Sequence, residues 1–314
     1  MARRILLRLA LALAVLLGAY TAAFLILYVM PGDPVTAMAA GGLEAGAISD
    51  ADLQALRAEH GLDRPLPVQY LSQLAAAVTG DLGTSVQTGQ PVTEAILDRL
   101  PTTLRLAWAA LLVAVVAGPA IALLAAGTRR RWVRATASAI PALGAALPTF
   151  WTGLLLVQVF SFGLGWLPAL GDDGLAGLVM PALTLGLPLS ALIAQVMLRA
   201  LDESGAQEYV ETALASGQSR RRVLITHMLP NAALPTLAML GVVTGNVVAG
   251  AVVVETVFSR PGVGQLTVQA VTAQDLPVVL GVVLLSSLVF VLVTLTVDLL
   301  SPLLDPRVGP AGAV

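Results

Sequence analysis

The 314-residue chain contains no cysteine. Disulfide bonds and thiol catalysis are therefore excluded, and the redox state of its compartment leaves no mark on it. Lysine is also absent, all 17 basic residues being arginine. A P-loop ATPase needs a lysine on its nucleotide phosphates, so this chain does not hydrolyse ATP by that mechanism. Charge is scarce as well: 11% of residues are charged, where a water-soluble domain averages about a quarter. The only histidines are His60 and His227. The topology below puts them on opposite sides of a membrane, which excludes a shared metal site.

What fills the chain instead is apolar: 57% of residues are hydrophobic, and they fall in helix-length runs, as in an all-α membrane protein. The first run, residues 5–30, follows Arg3, Arg4 and Arg8. A cleaved signal peptide is the competing reading, with Ala37-Met38-Ala39 as a small-x-small site. The run is longer than a signal core of roughly 7–15 residues and suits a hydrocarbon layer about 30 Å thick, so a retained first membrane helix is expected. It stops at Pro31-Gly32-Asp33-Pro34. The polar stretch to Pro101 is expected to hold two short surface helices, over 50–60 between a Ser49/Asp52 capping box and Gly61, and over Val68–Val78 ending near Gly80.

Further apolar runs at 104–127, 136–163, 178–198, 232–257 and 277–300 bring the expected spans to six. Arg129, Arg130, Arg131 and Arg134 must lie in a loop, because one arginine at a helix centre costs about 3 kcal/mol. With both termini inside, 12 of the 17 arginines fall on the inner side, and the 31–101 stretch, with three arginines, falls outside. The expected organisation is residues 1–94 as first helix and large extracytoplasmic loop, 95–300 as the membrane core and 301–314 as a cytoplasmic tail. Pro119, Pro141, Pro148, Pro188, Gly186 and Gly241 fall inside the runs, either tolerated through neighbouring helices or serving as kinks for gating. Gly241, Gly245 and Gly250 suggest close helix packing in the fifth span.

The longest polar interruption in the C-terminal two-thirds runs from Glu208 to Pro230. It reads as a short helix, a glycine turn and a second helix, on the inner side by arginine counting. Ala213, Ala215, Ser216 and Gly217 are small enough to let another protein surface approach; an ordinary connecting loop is the alternative. Glu211, Thr212 and Ala213, then three residues, Gly217, nine residues and His227-Met228-Leu229-Pro230 resemble the cytoplasmic loop of ABC importer permeases. Thr212 stands where that pattern has alanine, and His227 where it has isoleucine.

Other stretches resemble the dipeptide, oligopeptide and nickel permeases of that family, the first permease of the pair in particular. They are Pro31–Pro34, Gly61–Tyr70, Gly80–Ser85, Leu100–Leu104, Pro181–Gly186, Val253–Gly264 and Asp275–Val279. The resemblance implies a type I ABC importer permease fold with six transmembrane helices in the bacterial cytoplasmic membrane. It implies a non-catalytic subunit forming half of a pathway for di- or oligopeptides, with nickel, a metal chelate, an opine or a glycoside as alternatives. Its partners would be a second permease in a heterodimer, two ATP-binding cassette subunits that hold ATP and Mg, an extracytoplasmic solute-binding protein and membrane lipid, with no nucleic acid.

The same resemblance makes Glu211, Thr212, Ala213, Ala215, Ser216, Gly217, Leu229 and Pro230 the expected ATPase-coupling residues. Glu255, near the outer end of the fifth run, reads either as a solvated anchor or as a pathway or gate residue. Asn246 and Gln158 are the other polar candidates for the pathway, or for helix-to-helix hydrogen bonds. No catalytic, cofactor-binding or metal residue is expected. An ion-coupled carrier acting alone is the reading from another class, but the span centres lack the acids such a carrier uses.

Overall fold

The structure, a computed structural model, describes residues 2–29, 54, 58, 63–171 and 174–304. Among these residues it is helical, the sole β pairing being an isolated antiparallel bridge between Thr84 and Pro91. The helices are α1 (Ala2–Val29), α2 (Leu66–Val78), α3 (Val92–Gly127), α4 (Arg131–Ala146), α5 (Thr149–Leu156, continued by a π-turn Val157–Gly163) and α6 (Ala176–Gly205). Then come α7 (Glu208–Ala215), α8 (Arg220–Val223, continued by a π-turn Leu224–Met228), α9 (Leu229–Val257), α10 (Val263–Thr272) and α11 (Leu276–Leu304). The Pro31–Pro34 signature and, apart from residues 54 and 58, the expected helix over 50–60 lie outside the described residues.

Five helical stretches are long and apolar enough to cross a bilayer: Leu6–Ile26, Val92–Gly127, Ala176–Gly205, Arg220–Val257 and Leu276–Thr296. A sixth is the pair Arg131–Gly144 and Thr149–Gly163, bent by more than 40° at its break. Sequence patterning makes 136–163 one run, but Leu147, directly before Pro148, is extended at φ −82°, ψ 128°. The proline ring disfavours helical geometry at the residue preceding it, and the helix stops there. Pro119, Pro141, Pro181, Pro188 and Pro235 sit inside helices that continue through them. α3 begins well before its apolar run, because its first turns, with Glu94, Asp98 and Arg99, are too polar to register as a span.

The chain divides into two compact units, Met1–Thr102 with Pro261–Val291, and Thr103–Arg260 with Leu292–Val314. In the first unit, Tyr20 and Phe24 of α1 pack on Tyr70 of α2, with ring centroids 5.7 and 5.3 Å apart. The Tyr70 hydroxyl hydrogen-bonds Thr21 Oγ1 at 2.8 Å. Val92 and Ile96 form a core with Val263, Leu266, Val278 and Val282. A methyl group on Gly281 would lie 2.6 Å from Val92 Cγ1, so only glycine lets α11 come this close to α3.

The loop before α3 is anchored by Asp275, only 2% exposed. Its carboxylate accepts from Ser85 Oγ at 2.5 Å and from the backbone N–H groups of Val86 and Gln87 at 3.2 and 3.3 Å. Two signature stretches 190 positions apart thus meet in one contact. Replacing Asp275 with alanine strands a buried hydroxyl and a buried N–H group, at an expected total of about 3 kcal/mol. Thermal unfolding of the purified protein should show a lowered midpoint for Asp275→Ala and a smaller drop for Asp275→Asn, which keeps one acceptor oxygen.

In the second unit α6 is the central rod. Its apolar positions Met180, Leu185, Leu189 and Ile193 are buried with Leu106 and Ala110 of α3 and Val243, Val247 and Val254 of α9. Glycines set how closely the helices approach. A Cβ at Gly186 would meet the Ala110 carbonyl at 2.8 Å, one at Gly118 the Ser190 carbonyl at 2.8 Å, and one at Gly250 the Leu185 side chain at 2.5 Å. Van der Waals contact between such backbones stands in for the hydrophobic drive that lipid surroundings remove.

Candidate functional site

The Glu208–Pro230 segment folds as a helical hairpin on the end of α6. α7 carries Glu208 and Glu211 in its first turn, where carboxylates favour the positive end of the helix dipole. Val210 and Ala213 turn inward onto Val223. Glu211, Thr212, Ala215, Ser216 and Gly217 are exposed. Ala213, expected to meet a partner, is therefore spent on internal packing: helical periodicity puts it on the face of Val210.

α7 ends in a Schellman motif. The Gly217 N–H donates to the Leu214 carbonyl at 3.0 Å and the Gln218 N–H to the Ala213 carbonyl at 3.2 Å. Gly217 has φ +86°, left-handed geometry that costs a side-chain-bearing residue about 1–2 kcal/mol. A Cβ built there meets nothing within 4 Å, so the outward side of the turn is open. Ser219 then caps α8, its hydroxyl accepting from the Arg222 N–H at 3.4 Å. The expected second helix does not stop at Pro230: it runs on as the membrane-length helix Arg220–Val257. Leu229 packs with Ala122, Met197, Leu201, Leu224 and Ala232, while Pro230 is exposed and follows the π-turn Leu224–Met228 inside that continuous helix, where it cannot donate a backbone hydrogen bond.

A chain of side-chain hydrogen bonds locks the hairpin. Ser204 Oγ of α6 pairs with Tyr209 Oη at 2.5 Å, and Asn231 Nδ2 donates to Tyr209 Oη at 3.2 Å and to the His227 carbonyl at 2.8 Å. The His227 ring nitrogen pairs with Gln218 Oε1 at 3.2 Å. One polar relay therefore ties the end of α6, α7, the turn and the start of α9. Sequence reading missed Ser204, Tyr209 and Asn231, because contacts 5 and 22 positions apart leave no periodic signal. The hairpin presents an acidic and small-residue face on a braced knob.

The pathway candidates lie apart from this knob in sequence and differ in setting. Glu255 has no exposed surface, so it is not a solvated anchor, and its Oε1 accepts from Thr103 Oγ1 at 2.6 Å. Arg260, 1% exposed, donates from Nη1 to the carbonyls of Gly177 at 2.8 Å and Gly171 at 3.3 Å. The Gly171 N–H in turn donates to the Phe258 carbonyl at 3.0 Å. The Leu100–Leu104 and Val253–Gly264 signatures thus meet at the end of α9. Asn246 and Gln158 are exposed on this chain, Gln158 within a π-turn, a departure from α geometry frequent at functional sites.

Two family models match the chain. The N-terminal model of binding-protein-dependent transport system membrane components covers residues 1–107, and the model of binding-protein-dependent transport system inner membrane components covers residues 118–310. The glutathione transport system permease protein GsiC of Salmonella typhi is 38% identical over 286 residues, 91% of this chain and 92% of the relative. GsiC of Escherichia coli (strain K12) is 37% identical over the same length and coverage. Among solved structures, an amino acid ABC transporter superposes with a TM-score of 0.51 at 20% identity, covering 69% of this chain and 95% of that one. The methionine ABC transporter MetNI in an inward-facing conformation superposes with a TM-score of 0.55 at 18% identity, covering 68% and 97%.

Proposed function

The chain belongs to the family of binding-protein-dependent transport system inner-membrane components, and from that premise we propose that it passes a peptide-like solute and is driven through α7 and the Gly217 turn. It is a permease subunit of an ABC importer, a multi-pass inner-membrane protein with the type I importer permease fold. It is not an enzyme; separate ATPase subunits hydrolyse ATP, and a second permease and a binding protein complete the system.

In this reading both termini are cytoplasmic, which puts 12 of 17 arginines inside. Residues 1–94 form the first helix and outer loop, 95–300 the core and 301–314 a tail. The two ATP-binding cassettes, holding ATP and Mg, each grip a permease at the segment matching α7. Glu211 meets basic groups at the rim of the cassette's groove, and Ala215, Ser216 and Gly217 give the close fit, a helix-in-groove contact. Closure of the cassettes around ATP draws the knobs together, and the relay through Tyr209 and Asn231 carries that displacement into α6 and α9. The observation that carries this reading is the braced hairpin with its exposed acidic and small-residue face.

For the solute, the relatives' name points to glutathione, a tripeptide. Uptake of labelled di- and tripeptides, glutathione among them, should fall to background when this chain alone is deleted and return when it is restored. Unchanged peptide uptake with lost uptake of a nickel chelate, opine or glycoside would reassign the solute while leaving the transporter class intact.

A further inference from the structure

A cavity of about 400 Å³ lies among the loop after α3, the end of α6 and the inner side of the α7–α8 hairpin. Its volume is in the roughly 300–1,000 Å³ range of small-molecule sites. Arg129, Arg134 and Arg220, from three separate elements, line one part of it, and Leu201, Val223 and Leu224 another. Asp202 is the only acid among the lining residues.

The charge balance decides what fits. Three guanidinium groups against one carboxylate leave a charge of +2. The C-terminal ends of α3 at Gly127 and α6 at Gly205 also border the cavity, and each contributes roughly half a negative charge. The N-terminus of the helix that begins at Arg220 adds roughly half a positive charge, so a net positive charge remains, which suits an anion such as a phosphodiester. The Arg134–Asp202 pair, 3.1 Å apart with side chains 58% and 64% exposed, is solvent-screened and weak enough for an incoming anion to compete with. Guanidinium grips two oxygens at once, as a phosphate presents them.

We propose that this cavity binds the phosphodiester headgroup of an anionic phospholipid. The shared chemistry is a phosphate, which a lipid or a free ion can supply. The site's surroundings favour the lipid: the membrane-length helix α3 ends at Gly127 on the cavity's edge, and the aliphatic wall suits the carbons next to a lipid phosphate. A choline headgroup is disfavoured because its cation would face the arginines. Val210 and Leu214 of α7 also line the cavity, so an occupant bridges the α3–α4 loop to the hairpin.

The test uses the full chain purified with its partner subunits, and reads lipid retained in native mass spectrometry after exchange into equimolar phosphatidylglycerol and phosphatidylcholine. The wild type should retain phosphatidylglycerol preferentially, the double variant R129Q/R220Q at least tenfold less, and R129K/R220K an intermediate amount, since lysine keeps the charge but loses the two-pronged grip. Unfolding midpoints of the variants equal to wild type exclude a folding defect. Displacement of phosphatidylglycerol by millimolar inorganic phosphate that itself stays bound would assign the same arginines to free phosphate. Equal retention by the wild type and both variants overturns the site. Because binding is read without transport, this result is independent of whether α7 docks an ATPase.

Discussion

Replacing Gly217 with tryptophan is expected to reduce uptake, and the solute-stimulated ATPase activity of the assembled transporter, by at least a hundredfold, while the chain still accumulates in the membrane. Two effects add at this position and have different sizes. Forcing a side chain into φ +86° strains the turn by about 1–2 kcal/mol, and Gly217→Ala should show that strain alone as a lower unfolding midpoint. The larger effect is steric. The space outside Gly217 is empty within this chain, so a bulky group fits the isolated subunit and clashes only with whatever sits against the turn. Gly217→Asn separates the two, because asparagine tolerates left-handed geometry but still adds bulk. If Gly217 serves only to end α7, asparagine restores uptake; if the turn is a docking surface, Asn lowers the strain and uptake stays impaired.

The largest expected effect on stability belongs to Arg260. Its buried guanidinium holds two backbone carbonyls, of Gly177 and Gly171, against the end of α9. Hydrogen bonds to a charged group are worth about 1.5–3 kcal/mol each, so Arg260→Ala should cost about 3–5 kcal/mol, a large share of a typical stability of roughly 5–15 kcal/mol. The variant should unfold at a markedly lower temperature in detergent and be degraded in cells. Arg260→Lys should recover only part of the loss, since an ammonium on a flexible stem does not reproduce a rigid, planar guanidinium whose Nη1 reaches both carbonyls. A lysine variant as stable as the wild type would reduce Arg260 to a simple charge.

The sequence is legible where the physics is one-dimensional. Apolar run length reports the five helices long enough to span but passes over the break in the 136–163 run, and a lone glycine after small residues reports the end of α7. Resemblance linked Gly80–Ser85 to Asp275–Val279 and Leu100–Leu104 to Val253–Gly264 only as members of one ordered series. Their physical connections, Ser85 to Asp275 and Thr103 to Glu255, needed the structure because tertiary pairing has no period. Hydropathy also truncated α3 at its polar start and passed over α10, a ten-residue helix too short to span. The inward turn of Ala213 was recoverable from helical spacing with Val210, but the pattern Glu-Thr-Ala weighs all three residues alike.

The absence of cysteine makes the central claim directly measurable, because a single introduced thiol is unique in the chain. Ser216→Cys places that thiol on the exposed tip of the hairpin. The account predicts that it cross-links to a cysteine engineered in the groove of the ATPase subunit, and that in intact cells it resists a membrane-impermeant maleimide. A thiol at position 216 that labels from outside, or that never joins the ATPase under any nucleotide condition, would contradict it.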